Sequence, residues 1–340
     1  MPRPEPGELF EAARGGDRSA LARLLSLVER GGAPARAVGR LSYAAGADAH
    51  TVGITGPPGA GKSTLTSALV RVIRRGAPAG AGPRVAVLAV DPSSPFTGGA
   101  ILGDRIRMNL HDTDDAVFIR SMASRGQLGG LAVAAPEAAR LLTAVGFPWV
   151  LLETVGVGQV EVDVVRHADT TVVVVNPGWG DAVQAAKAGL TEIADVFVVN
   201  KADRPGAHEA IRDLERMLEM AEAGGATWRP PVLPTTALSG EGAEAVWQAV
   251  LDHREHTAAS GDLDRRRRER AVDEMSRLIA ARLMERARSI TASPEARKLA
   301  DGVAHGRIDP WSAVDELLDA AGVDAVGVDA PPDPDGAAGA

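Results

Sequence analysis

The run Gly56-Pro57-Pro58-Gly59-Ala60-Gly61-Lys62-Ser63 follows the pattern G-x-x-x-x-G-K-[ST], with an apolar strand-like stretch before it and a helical stretch after it. A loop of this kind turns successive backbone N–H groups toward an anion at the positive end of a helix, so residues Gly59, Ala60, Gly61, Lys62, Ser63 and Thr64 form an expected phosphate cradle. Pro57 and Pro58 have no N–H to offer, but they precede the donors that matter. The Lys62 ammonium adds a cation near the β and γ phosphates, and the Ser63 hydroxyl is a candidate ligand for a divalent metal.

Asn200-Lys201-Ala202-Asp203 has the N-K-x-D form at the end of another apolar stretch. A carboxylate such as Asp203 accepts two hydrogen bonds from the N1–H and exocyclic amine of guanine, whereas adenine offers no such pair. Ala237 and Leu238, in the short run Thr236-Ala237-Leu238, are expected to meet the guanine oxygen. Three acidic residues, Asp91, Asp104 and Glu153, follow strand-like or glycine-rich segments. Carboxylates gathered beside a triphosphate require a cation between them, which predicts Mg²⁺ held by Ser63, Asp91, Asp104 and Glu153.

Glu153-Thr154-Val155-Gly156 stands where a D-x-x-G loop would sense a γ-phosphate, but Val157 follows it in place of a water-orienting Gln. Unassisted hydrolysis is therefore expected to be slow, with Gln159 the nearest substitute. Of the seven His residues, only His253 and His256 share a helix face, and these are expected at a solvated helix end, complementing its dipole.

Short apolar runs alternating with helical ones must position these groups. Strands are predicted at residues 51–55, 84–90, 117–121, 149–153, 170–175, 196–200 and 232–235, and helices at 62–75, 136–145, 181–190, 208–223 and 242–256. The alternation gives an α/β class, a P-loop fold with a mostly parallel, doubly wound sheet. Asp17 ahead of Leu21, Leu24, Leu25 and Val28 marks a capped N-terminal helix. Past residue 260, Val272, Met275, Ile279, Leu283 and Ala287 make one apolar stripe on a charged helix. The expected organisation is an N-terminal helical extension at 1–45, the nucleotide domain at 46–260, a C-terminal helical arm at 261–323, and a disordered tail at 324–340 rich in Asp, Pro, Gly and Ala.

The chain has 340 residues, 45% of them hydrophobic but only 3% aromatic, so its core is aliphatic. It has no Cys, which excludes disulfides and thiolate sites and fits a cytoplasmic protein. The acidic first segment does not fit a signal or transit peptide, and no apolar run reaches membrane-spanning length. A net charge of −8 argues against a nucleic-acid partner, and the basic run from Arg265 to Arg268 is expected to be a solvated helix face.

Together with the loops above, Val90-Asp91-Pro92-Ser93-Ser94-Pro95, the run from Gly98 to Met108, Glu153-Thr154-Val155-Gly156-Val157-Gly158-Gln159 and Asn176-Pro177-Gly178-Trp179-Gly180-Asp181 resemble the MeaB/ArgK GTPases that accompany methylmalonyl-CoA mutase and related adenosylcobalamin-dependent acyl-CoA mutases. The resemblance runs roughly from residue 17 to 320. It implies a GTP/GDP cycle with Mg²⁺, a homodimer held largely by the C-terminal helices, and a chaperone that gates cobalamin loading and protects the mutase. It also implies that Asp181 and Lys187 belong to a further nucleotide-responsive loop, although Asp181 would serve equally as a helix N-cap. Two other readings share this core: a phosphotransferase, and a nickel metallochaperone, whose expected Cys and His-rich ligands are absent.

Overall fold

The computed structural model describes residues 4–45, 49–75, 82–91, 114–123, 130–154, 167–178, 193–221 and 227–323. Among the described residues there are seven strands: β1 (His50–Thr55), β2 (Val85–Asp91), β3 (Val117–Ala123), β4 (Trp149–Thr154), β5 (Thr170–Val175), β6 (Val196–Asn200) and β7 (Val232–Thr235). They form one sheet in the order β3-β2-β4-β1-β5-β6-β7, with every pair parallel. All seven strands coincide with predicted segments to within two residues at each end.

The strands read as near-continuous apolar runs because both faces of the sheet are covered. Val52, Ile54, Val87, Leu151, Val172 and Val174 share a core with Leu65 and Leu69 of α4 (Lys62–Arg75). Alternate residues Leu88, Val150 and Leu152 pack with Leu141 and Leu142 of α5 (Gly130–Ala144). Val173, Phe197 and Val199 meet Leu214 and Leu218 of α6 (Ala207–Ala221). Chain order reverses across β1, which lies between β4 and β5, so the loop leaving β1 opens at the switch point of the sheet, where α/β folds bind ligands.

The N-terminal helices share this core. In α2 (Arg18–Arg30), Asp17 accepts from the amides of Ser19 and Ala20, and Leu21, Leu24 and Leu25 are buried in the cluster that holds Leu141 and Phe118. Two helices not predicted, α1 (Pro6–Arg14) and α3 (Gly32–Ala44), flank it. Both are short, and α3 carries Gly32, Pro34 and Gly39, so packing rather than propensity supports them.

The amino edge of the sheet corrects two expectations. His253, on α7 (Ala243–Ser260), is fully buried, not solvated. Within the basic run, Arg265, Arg267 and Arg268 are exposed as expected, but the face is not only solvated: the half-buried Arg266 reaches Asp195 at 2.9 Å and Arg267 reaches Asp169 at 3.1 Å, both aspartates standing just before strands. A helix that brings arginines over buried carboxylates looks, in sequence, like one that brings them to water.

The polypeptide divides into two compact units, residues 1–271 and 272–340, with the division inside α8 (Asp262–Thr291). In the second unit, α9 (Pro294–Ala304) is capped by Ser293 and α10 (Pro310–Ala320) by Asp309. Arg286 donates to Ala321 O at 3.0 Å. The stripe of Val272, Met275, Ile279 and Leu283 is exposed, Leu283 by 65%. Among the described residues, no helix is long and apolar enough to cross a membrane.

Candidate nucleotide-binding site

The loop between β1 and α4 is seated by two glycines that admit no side chain. A Cβ on Gly56 (φ +141) would lie 1.9 Å from Val174 O of β5, and one on Gly61 (φ +95) would lie 2.2 Å from Asn200 Nδ2. The loop thus rests directly on the neighbouring strand and on the first residue of the N-K-x-D run.

Lys62, the first residue of α4, is buried, and its ammonium folds back to donate to Gly56 O at 2.7 Å and Pro57 O at 3.1 Å. The next residue, Ser63, donates its hydroxyl in a short hydrogen bond to Glu153 Oε1. Glu153 sits at the carboxyl end of β4 and is 1% exposed. Beside it, Thr154 Oγ1 donates to Thr55 Oγ1 at 3.1 Å, joining the ends of β4 and β1.

Asn200 connects three loops. Its Nδ2 donates to Ala60 O at 2.7 Å, while its Oδ1 accepts from Ala237 N at 3.0 Å and from Thr235 Oγ1 at 3.3 Å. Lys201, with φ +60, donates its Nζ to Gly59 O at 2.7 Å, and Ala202 N donates to Thr235 O at 2.9 Å. The phosphate loop, the N-K-x-D run and the Thr236-Ala237-Leu238 loop are therefore one hydrogen-bonded body. Asp203 and Leu238 are exposed beside it, Leu238 by 87%.

Gly59, Ala60, Gly61, Lys62, Ser63 and Thr64 are brought together with Glu153, Asn200, Lys201, Asp203, Ala237 and Leu238 at the carboxyl edge of the sheet. Asp91 ends β2 on that edge, but its side chain, like the whole of Asp104, Gln159, Asp181 and Lys187, lies outside the described residues. Among the described residues, no three His, Asp or Glu side chains cluster as a metal site. The N-K-x-D run singles out Asn200, but its bridge to Ala60 and Ala237 and the Thr55–Thr154 pair are not predicted; the hint for both is that these residues end strands facing the phosphate loop.

A family model described as "Methylmalonyl Co-A mutase-associated GTPase MeaB" matches residues 21–292. A relative from Pyrococcus abyssi is 46% identical over 316 residues, covering 92% of this chain and 95% of its own length. The GTPase ArgK of Escherichia coli is 38% identical over 276 residues, covering 78% and 81%. A crystal structure titled "LAO/AO transport system kinase" superposes with a TM-score of 0.66 at 28% identity, covering 93% of this chain and 97% of that one. With its phosphate loop, N-K-x-D run and parallel sheet, the chain belongs to the methylmalonyl-CoA mutase-associated MeaB family and is a GTPase.

Proposed function

We propose that the chain is a G-protein chaperone of an adenosylcobalamin-dependent acyl-CoA mutase, using the GTP/GDP cycle to gate cofactor loading and protect the mutase. The single observation that supports the nucleotide half is the Asn200 carboxamide, which holds the phosphate loop against the two loops proposed to read guanine. The mutase half rests on the family description. The phosphates run along the amides from Gly59 to Thr64 with Lys62 beside them, and Asp203 takes the guanine N1–H and amine.

The Ser63 hydroxyl and the Glu153 carboxylate, already in contact, supply hard oxygen donors of the kind Mg²⁺ takes, with Asp91 and Asp104 as the further members of the proposed set. Mg²⁺ bound there would neutralise charge on the β and γ phosphate oxygens. In hydrolysis a water oxygen bonds to the γ-phosphorus, the bond to the β–γ bridging oxygen breaks, and GDP, phosphate and a proton leave. With Val157 in the usual Gln position, water orientation falls to Gln159, Asp181 or Lys187, aided by the partner. Two chains pair through the C-terminal stripe.

The test is GTP turnover measured alone, with a cobalamin-dependent mutase, and with a nickel-enzyme apoprotein. Stimulation of about tenfold or more by the mutase alone is expected, on the scale by which a partner completes a GTPase site. Equal stimulation by the nickel apoprotein, or none by any acyl-CoA mutase, counts against this reading.

A further inference from the structure

At the amino edge of the sheet, opposite the nucleotide site, a buried polar chain runs from Asp195 to Asp169. His253 Nε2 lies 3.1 Å from Asp195 Oδ1, and His253 Nδ1 lies 2.8 Å from Thr170 Oγ1. The same hydroxyl lies 2.8 Å from His50 Nε2, and His50 Nδ1 faces Asp169 Oδ2 at 3.9 Å. None of the five residues is more than 5% exposed.

One hydroxyl proton fixes the polarity of this chain. Neither His253 Nε2 nor His50 Nδ1 completes a hydrogen bond among the described residues, but the Asp195 carboxylate, at 3.1 Å against 3.9 Å for Asp169, is the nearer charge and draws the ring proton of His253 to Nε2, so that its Nδ1 accepts the Thr170 proton. Thr170 Oγ1 in turn accepts Nε2–H from His50. His50 Nδ1 is left as a bare lone pair, with no hydrogen bond among the described residues.

Both terminal aspartates also hold α8. Asp169 accepts from Arg267 Nε at 3.2 Å and Nη2 at 3.1 Å and also from Arg270, while Asp195 accepts from Arg266 at 2.9 Å. Throughout its 30 residues α8 has no buried side chain. Its first turns are therefore held to the sheet by these arginines, through carboxylates shared with the histidine chain and through the carbonyls of Ala49, His167 and Ala168.

We propose that this chain is a proton-sensitive latch for the first turns of α8. With His50 neutral, Asp169 belongs to Arg267 and Arg270. A proton on His50 Nδ1 puts another cation into a closed site that holds the His253 ring, Arg254 of α7 and Arg266, Arg267 and Arg270 of α8, with Asp169, Asp195 and Asp262 as the opposing charges among the described residues. Departure of α8 hydrates the imidazolium and removes the arginines.

The sign follows from the closed state. Burial first, then Arg254, His253 and Arg267, outweigh Asp169 and lower His50 from 6.5 to about 4. The latch is at full strength above pH 6.5 and weakens as pH falls toward 4. Complete hydration in the open state would change the opening equilibrium by about 80-fold over that interval, out of about 300-fold for the whole titration, the 2.5-unit difference between the two values.

Hydrogen–deuterium exchange on the full chain tests this. After correction for intrinsic rates, opening of residues 263–271 should rise about tenfold or more from pH 6.5 to 5.0 while β1 and β5 stay protected. His50→Gln keeps an N–H toward Thr170 but cannot take the proton, so its profile should be flat. A flat wild-type profile, or an equal rise in His50→Gln, overturns the latch. If that variant does not fold, ¹⁵N spectra of the wild-type histidine rings decide instead: His50 must be the Nε2–H tautomer at pH 7, and its protonation midpoint must coincide with the loss of protection. Any other tautomer or a separate midpoint overturns the proposal.

Discussion

Asn200 Nδ2 stands 2.7 Å from Ala60 O, and this one carboxamide joins the phosphate loop to the end of β6 while its oxygen accepts from Ala237 N. Asn200→Ala would leave the Ala237 amide and the Ala60 carbonyl buried without these partners. At about 1–3 kcal/mol for each unsatisfied group, both stability and GDP affinity should fall, the latter by roughly ten- to a thousandfold. Calorimetric titration alongside urea unfolding measures both. Wild-type GDP affinity in the variant would show that the bridge does not shape the pocket.

Asp203 contrasts with Asn200, because it is exposed. Asp203→Asn should leave thermal stability within about 0.5 kcal/mol of wild type, as surface changes usually do. GTP should weaken by roughly ten- to several-thousandfold through lost charge-assisted hydrogen bonds at about 1.5–3 kcal/mol each. Xanthine nucleotides should gain in preference, since the amide presents a donor to their carbonyl. Unchanged GTP binding would remove Asp203 as the base reader.

What the sequence revealed depended on whether a side chain's partner was local. Strands β5 and β6 were legible because valine runs covered on both faces leave no other pattern, and the phosphate loop because its glycines and Lys62 occupy fixed offsets. The Asp17 cap was legible because its acceptor serves amides two and three residues on. His253 and Arg267 were misread because their partners, Thr170 and Asp169, are 83 and 98 residues away, a distance no helical periodicity reports.

Ser63 and Glu153 offer a separable test of the metal proposal. Glu153→Ala should spare much of the phosphate-loop contact, so GDP affinity should change by less than about tenfold while Mg²⁺-dependent turnover falls by about a hundredfold or more. Lys62→Ala should instead weaken GTP and GDP together. If Glu153→Ala matches wild-type turnover across a Mg²⁺ titration, Glu153 has no part in the metal site.

Asp169 predicts a pH dependence at the acid end. Burial alone would raise its pKa, but Arg270, Arg267 and His50 outweigh that and hold it well below the usual carboxylate range. A carboxylate lowered in the folded state contributes stability above its unfolded value and loses that contribution as pH falls through the folded one. Asp169→Asn strips Arg267 and Arg270 of a buried partner, which should cost about 3–5 kcal/mol near pH 6. The gap between variant and wild type in urea unfolding should narrow steadily below pH 4. A gap independent of pH would mean that the charge of Asp169 contributes nothing to the fold.

The exposed stripe of α8 carries the last prediction. Val272, Met275, Ile279 and Leu283 are each more than half exposed in the single chain, and a two-fold contact would bury the same patch on both copies. A chain ending at Ser260, the boundary that periodicity suggests, would also lose Arg266, Arg267 and Arg270 and leave Asp169 and Asp195 buried without them. Its failure would therefore say nothing about dimerisation. A chain ending at Ala271 keeps the three arginines and every nucleotide motif while removing the stripe. It should be monomeric by light scattering and bind GTP with an affinity within about threefold of the full-length protein, a difference of less than about 0.7 kcal/mol. A dimer that survives this truncation, or a full-length chain that is monomeric at micromolar concentration, would exclude the stripe as the dimer contact.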